Sequence, residues 1–286
     1  MIDAAILFAL LSLIFGGLNE VVFKRYSAKM RSRGMMICGI GIVWTLLLLA
    51  DVAIRGSSIE INATGLIYGT IAGLVVALAN ILLLESLRHM EVSLGSTIYR
   101  LNTIAVVVLS ILFLGEGMTA VKLSGIVCGV VAVLLLYRHQ RGLENPEGLR
   151  LGLYLVVSGA LLRAVYGVVS KAGLNAGSDI DLLLLISALC WVLSGLIYAR
   201  FIERRYAITR QKIGYSILSG CLVYGIVRSL LSALSLGDAS IVITIANLSF
   251  LMALSVALIL KMETLSARKL LAMGFAVGAI VLLTRA

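Results

Sequence analysis

One proline, Pro146, serves a chain of 286 residues, and only two histidines and two tryptophans accompany it. Charge is scarce too: 13% of the residues are Asp, Glu, Lys or Arg, about half the share of an ordinary soluble domain. So little charge excludes a water-solvated fold and points to lipid as the main solvent. The lack of proline removes proline kinks as hinges and leaves 28 glycines for bending and close helix packing. His89 and His139 both fall in connections, so no imidazole lies within an apolar stretch. Membrane-embedded hydrolases and phosphotransferases need clustered acids, histidines or a metal motif near one interface. With 14 scattered acids, an enzyme is disfavoured, and neither a cofactor nor a metal is expected. The four cysteines, Cys38, Cys128, Cys190 and Cys221, lie in apolar stretches without paired spacing. That pattern suits small buried thiols, not disulfides or zinc.

What is abundant is apolar sequence, 61% of the chain, with a mean hydropathy of +1.09. A bilayer core about 30 Å thick takes about 20 apolar residues per helix. Ten stretches qualify: Ile2–Lys24, Met35–Ile54, Gly65–Leu87, Val92–Leu114, Ala120–Tyr137, Arg150–Ser170, Ile180–Tyr198, Ile213–Leu236, Ala239–Leu260 and Leu265–Leu283. The first lacks the basic leading region and cleavage site of a signal peptide, so it reads as a span. The expected fold is all-α and integral to the membrane, with ten transmembrane helices and lipid on every side.

The net charge of +10 follows from how these spans are connected, with no nucleic acid required. Connections after odd-numbered spans hold 17 of the 24 Lys and Arg, from Lys24 to Lys269; the opposite side holds Arg55, Lys122, Lys171 and Arg285. The positive-inside rule then places both termini outside the cytoplasm. The remaining three, Arg100, Arg163 and Arg228, lie within spans.

Sliding the sequence along itself by 147 residues brings two halves into register without a gap. Lys24 meets Lys171, Trp44 meets Trp191, Glu91-Val-Ser meets Asp238-Ala-Ser, Thr97-Ile meets Thr244-Ile, Glu116 meets Glu263, and Lys122-Leu meets Lys269-Leu. The chain is therefore read as residues 1–137, a cytoplasmic linker 138–149, and residues 150–286. Five spans per half force the second copy to enter from the opposite face. Two such inverted repeats around a central cavity form a transporter architecture, with the substrate site near the midplane.

Ten spans in two halves, with "LGEGMTAVKLSG" and "LKMETLSARKLL" between the fourth and fifth spans of each, resemble the drug/metabolite transporter superfamily and, within it, the EamA-type branch. The resemblance covers essentially the whole chain, and its most recognisable feature is met by Glu116 and Glu263. It implies a ten-helix basket that moves small metabolites by alternating access. Two features depart from the pattern: the fourth helix of each half lacks the proline often found there, and the charge bias opposes the usual placement of both termini in the cytoplasm.

Glu116 and Glu263 are twins, as are Trp44 and Trp191, which suits a scaffold: carboxylates for free helix amides, and packing aromatics. The interior arginines have no like-charged twin, since Arg100 corresponds to Asn247, Arg163 to Gly16 and Arg228 to Ile81. An arginine at a helix centre costs roughly 2.5–3.5 kcal/mol on insertion scales. Measured from the cytoplasmic helix ends, Arg100 should lie about 12 Å deep, Arg163 about 20 Å and Arg228 about 22 Å. Glu20 and Glu85 are acids that could reach Arg100, but they are too shallow for the other two. An anionic ligand would relieve the surplus. Candidate substrate contacts are therefore Arg163, Arg228 and Arg100, with Tyr166, Tyr224, Tyr99, Asn80, Asn102 and Asn247 beside them. Glu20 is a candidate for proton coupling or for meeting a substrate ammonium.

These residues support a transporter for a small anionic or zwitterionic metabolite: an amino acid, another carboxylate or a phosphorylated compound. The alternative is a flippase for a phosphate-bearing lipid-linked substrate. The expected partners are the small molecule and the bilayer of a cell (inner) membrane, with the protein as monomer or homodimer.

Overall fold

In the computed structural model, residues 4–27, 32–87, 89–90, 92–135, 146–204, 210–259 and 266–286 are described. Twelve α-helices are assigned there: α1 Ala4–Ser27, α2 Arg33–Arg55, α3 Ala63–Ser86, α4 Val92–Arg100, α5 Asn102–Leu114, α6 Ala120–Leu135, α7 Pro146–Asn175, α8 Ile180–Tyr198, α9 Arg210–Leu236, α10 Ala239–Asn247, α11 Phe250–Ile259 and α12 Ala267–Leu283. They make ten rods, because α4 and α5 are halves of the fourth expected span, and α10 and α11 are halves of the ninth. A π-helical turn, Ala199–Glu203, prolongs α8. Eight rods are long and apolar enough to cross a membrane, and Ala120–Leu135 is a shorter apolar helix. No strand occurs among the described residues. Glu263 and the linker segment 138–145 lie outside them. The remainder of the expected linker is helical, since α7 starts at Pro146, where a proline loses no hydrogen bond.

Many large apolar side chains face outward, beside a buried apolar core that includes Ile40, Leu48, Leu184 and Leu231. Leu46, Leu112, Phe113 and Leu193 are exposed by 61%, 70%, 73% and 59%. Such a shell would aggregate in water but suits lipid. The interior gathers the small and polar residues, among them Ser12, Asn19, Thr97, Asn102, Ser187, Ser219, Thr244 and Asn247, all buried. Without a hydrophobic force between helices in lipid, close contact and hydrogen bonds between such residues hold rods together. Ser219 donates to Asn19 and Ser12 to the Ile226 carbonyl, tying α1 to α9.

Helix contacts repeat in pairs. α1 packs on α9 as α3 packs on α7; α3 packs on α8 as α9 packs on α2; and α2 meets α8, α6 meets α12 and α5 meets α10. Each element in the first half thus contacts partners matching those of its counterpart 147 residues on. At the crossing of α2 and α8 the twins Trp44 and Trp191 touch edge to face, with centroids 6.1 Å apart at 69°. Near them, Gly41 lets the backbones meet: an added Cβ would lie 2.8 Å from the Val192 nitrogen and 2.9 Å from the Ala188 oxygen.

The two broken rods break in register, after Arg100 and after Asn247. Leu101 and Leu248 carry ψ near zero, and the ladder there shifts to i→i−3 bonds: Leu101 to Ile98, Ile104 to Leu101, Leu248 to Ile245 and Leu251 to Leu248. No proline or glycine is involved. Half-helix ends near the centre of a bundle supply partial charges and unpaired backbone groups.

Gly41→Ala should lower the melting temperature of the purified protein by the equivalent of about 1–3 kcal/mol of overpacking. Gly274→Ala, where an added Cβ meets nothing within 4 Å, should not. Equal melting temperatures for both would show that α2 and α8 do not depend on this close approach.

Candidate functional site

The breaks carry a polar junction. Asn247 donates to Asn102 at 2.5 Å and to Thr103 at 2.8 Å, linking the end of α10 to the start of α5. Thr103 also bonds the Arg100 carbonyl at 3.3 Å. Next to it, Arg100 forms an ion pair with Glu20 of α1, and Ser249, in the break of the second rod, donates to the same carboxylate at 2.6 Å. The guanidinium also lies 5.5 Å from the Phe250 ring centroid. Arg100 is mostly buried, while the Glu20 side chain is 35% exposed. A charge at the broken rod is therefore balanced by an acid that is only partly buried.

Arg228 is placed differently from the sequence expectation, which left it without an acid. It pairs with Asp181 and lies 3.8 Å from Asp51. Arg55 joins both acids, at 2.8 Å to Asp181 and 3.1 Å to Asp51, and Tyr224 donates to Asp51 at 2.9 Å. Two acids and two arginines bind α2, α8 and α9 in a neutral network, with the Asp181 side chain only 8% exposed. The physical reason is one of distance. Arg228 is deep only when measured from the start of α9; from its other end it is about 12 Å at 1.5 Å per residue. There Asp51 stands one turn before the end of α2, and Asp181 is the second residue of α8. Both acids are countable in the sequence, and their place at span ends opposite the measured face is the signal that would have found them.

Arg163 has neither arrangement. Among the described residues no carboxylate lies within ion-pair distance of it, and its guanidinium sits 5.4 Å from the Tyr99 ring centroid. That ring contact brings α7 to the level of the fourth rod's break, because Tyr99 precedes Arg100. The Tyr99 and Tyr166 hydroxyls are buried beside Arg163 and Ser170 without a hydrogen bond of good geometry among the described residues, and the Trp44 and Trp191 indole N–H groups and the Asn102 amide nitrogen likewise lack one. Asn80 turns its amide to its own helix, to the Val76 carbonyl at 2.8 Å. The structure thus brings together Arg100, Tyr99, Arg163, Asn102, Asn247 and Glu20 around the breaks. It puts Tyr224 and Arg228 in a separate network near one face.

Glu116 caps a helix, but not the one it precedes. Its carboxylate accepts the Ala239 amide at 2.6 Å and the Ser240 amide at 3.2 Å, with the Ser240 hydroxyl as well. It therefore caps α10 in the other half. Lys122 locks the arrangement, with 3.3 Å to Glu116 and 2.7 Å to Asp238, and its side chain is 3% exposed. At the opposite face, Arg33 of α2 lies 3.7 Å from Glu85 of α3, which accepts from Tyr198 of α8 at 2.5 Å. Ser32 and the Arg33 amide bond Glu203. α2 and α8 are thus tied by the Arg55–Asp181 ion pair at one face, and at the other by hydrogen bonds to Glu203 and through their common partner Glu85.

Removing one acid from the Arg228 network strands positive charge in a partly dry site. Asp181→Asn should destabilise the purified protein by about 1–3 kcal/mol. The double variant Asp181→Asn/Arg228→Gln should recover part of that loss in a thermal melt. A single variant as stable as the parent would remove the network from the account.

Residues 3–138 match the EamA-like transporter family. A solved crystal structure superposes with a TM-score of 0.82 over 97% of this chain and 95% of its own length, at 14% identity, a likeness of fold alone. No curated protein sequence matches the chain. Just under half of the chain thus resembles an EamA-like transporter domain, and the fold that carries it has eight helices long and apolar enough to cross a membrane.

Proposed function

We propose that the protein moves a small metabolite bearing one anionic group, an amino acid, another carboxylate or a phosphorylated compound, by alternating access between its two halves. The observation that carries this reading is Arg163. Arg100 and Arg228 have acids, whereas Arg163 has a ring face and no counter-charge among the described residues. A guanidinium at that depth is costly unless something anionic visits it. A carboxylate or phosphate would take a forked pair of hydrogen bonds from it. The Tyr99 and Tyr166 hydroxyls, without a well-formed hydrogen bond among the described residues, supply further donors for the same cargo.

Arg100, Asn102 and Asn247 set the site's floor at the broken rods, and Glu20 is the acid that can meet a cargo ammonium or carry a coupling proton. Arg228 and Tyr224 belong, in this reading, to a contact that must open and re-form as one face is exposed. Ion pairs at both ends of α2 support this reading: Arg55 joins it to Asp181 of α8 at one face, and Arg33 joins it to Glu85 of α3 at the other. The repeats, residues 1–137 and 150–286, are the two bodies that rock. The bias of Lys and Arg supports both termini on the non-cytoplasmic side of a cell membrane.

Reconstituted into liposomes, Arg163→Ala should lose transport of its cargo, with affinity weakened on the order of 10- to 100-fold for one charge-assisted hydrogen-bonded pair. Arg163→Lys should retain part of it. Wild-type rates in Arg163→Ala at equal protein content would end the proposal. Topology has its own check. A cysteine placed at Ser58, in the exposed turn after α2, should react with a membrane-impermeant maleimide in intact cells. Labelling only after the cells are broken open would reverse the orientation.

A further inference from the structure

α7 touches both broken rods, and two glycines let them come close to it. At Gly159 an added Cβ would lie 3.4 Å from the Tyr99 ring and 3.1 Å from the Ala79 carbonyl oxygen; at Gly167 it would strike Ile243 of α10. Arg163 stands midway, one turn from each glycine, and Tyr166 shares its side of the helix. What surrounds its guanidinium is the Tyr99 ring and the buried hydroxyls of Tyr99 and Tyr166. Where α5 begins, Asn102 is 1% exposed and its amide nitrogen has no partner. The neighbourhood is rich in hydrogen-bond donors and holds one net positive charge.

The acids of the described residues are already engaged elsewhere. Asp51 and Asp181 face Arg55 and Arg228, Glu116 and Asp238 hold Lys122, and Glu85 faces Arg33 and accepts from Tyr198. Glu203 takes Ser32 and the Arg33 amide, and Asp179 caps α8. Glu60 and Glu147 are exposed at span ends. Glu20 is the acid nearest the breaks, and both its oxygens are taken, one by Arg100 and the other by Ser249 at 2.6 Å. Lys171, one turn from the end of α7, donates to the Leu234 carbonyl at 2.7 Å. Deep in the spans, Arg163 alone lacks a carboxylate among the described residues.

This ledger sorts the anions that could meet Arg163. A zwitterionic amino acid adds no net charge, and it brings an ammonium for which no carboxylate is left. A phosphate monoester carries about −1.5 to −2 at neutral pH and overshoots a single guanidinium. A monocarboxylate with neutral substituents brings the interior to balance, and its two oxygens match the guanidinium fork. The spare donors of Tyr99, Tyr166 and Asn102 call for a second acceptor beside the carboxylate, which a 2-oxo or 2-hydroxy acid carries. We infer that the cargo is a monocarboxylate with an oxo or hydroxy group at its second carbon and without an amino or phosphate group. The inference rests on the reading of Arg163 as the cargo site and narrows it to one substrate class.

The test is ligand-dependent melting of the purified full-length protein with compounds in matched pairs: pyruvate with L-alanine, 2-oxoisovalerate with L-valine, phenylpyruvate with L-phenylalanine, and D-glycerate with glycerol 3-phosphate. In at least one pair the oxo or hydroxy acid should raise the melting temperature with an affinity about tenfold or more above that of its partner. Arg163→Gln, folded by its own ligand-free melt, should lose the shift. Arg163→Lys, which keeps the charge but not the fork, should keep the order of preference at weaker affinity. An amino acid that matches its oxo acid in the parent, with both lost in Arg163→Gln, would overturn the charge ledger and leave Arg163 as the cargo site. An acid that shifts the parent and Arg163→Gln alike would overturn the Arg163 reading itself. A parent moved by none of the four acids would overturn the substrate class.

Discussion

A charge inside a bilayer must be answered from within the protein or from what the protein binds, and this constraint organises the molecule. The fold answers nearly every interior charge that it contains. Arg228 and Arg55 are set against Asp181 and Asp51, Arg100 against Glu20, and Lys122 against Glu116 and Asp238. Each answer joins helices distant in sequence, so charge balance also serves as the fixing between rods, where hydrophobic force between helices is absent. Arg163 is the exception among the described residues, set against tyrosines and without a carboxylate.

The second constraint is the frame common to both halves. Twin tryptophans meet at the crossing of α2 and α8, and the fourth rod of each half breaks at the matching residue. The frame places two half-helix ends opposite one another, bridged by the Asn102–Asn247 hydrogen bond. On this common frame the two copies differ at one decisive point: where one break carries Asn247, the other carries Arg100, and Glu20 is present to receive it. The interior site is thus asymmetric in charge although its backbone is paired.

Spans were legible because apolar length is a one-dimensional property. Ile180–Tyr198 coincides with α8, and other ends moved by a few residues, most at α7, which extends to Pro146 and Asn175. The breaks at Leu101 and Leu248 were not legible, since neither a proline nor a glycine marks them. What marks them is a polar residue in a Thr-Ile-x-polar-Leu frame, which reads in sequence as ordinary hydrogen-bonding glue. Depth was legible from one end of a helix only. Arg228 looked unanswered because its acids sit on other helices at the opposite face. Glu116 was legible as a capping carboxylate but not as the cap of α10, because which helix start a turn abuts is decided by the packing of the two halves.

The account turns on whether the free charge of Arg163 is the place where cargo binds. The most direct measurement is a thermal-shift screen of the purified protein and its Arg163→Gln variant against amino acids, organic acids and sugar phosphates. A bound compound at 100 times its dissociation constant adds about 2.7 kcal/mol of stability. The account predicts that an anionic compound raises the melting temperature of the parent and leaves Arg163→Gln unmoved. A compound that stabilises both proteins equally would contradict it.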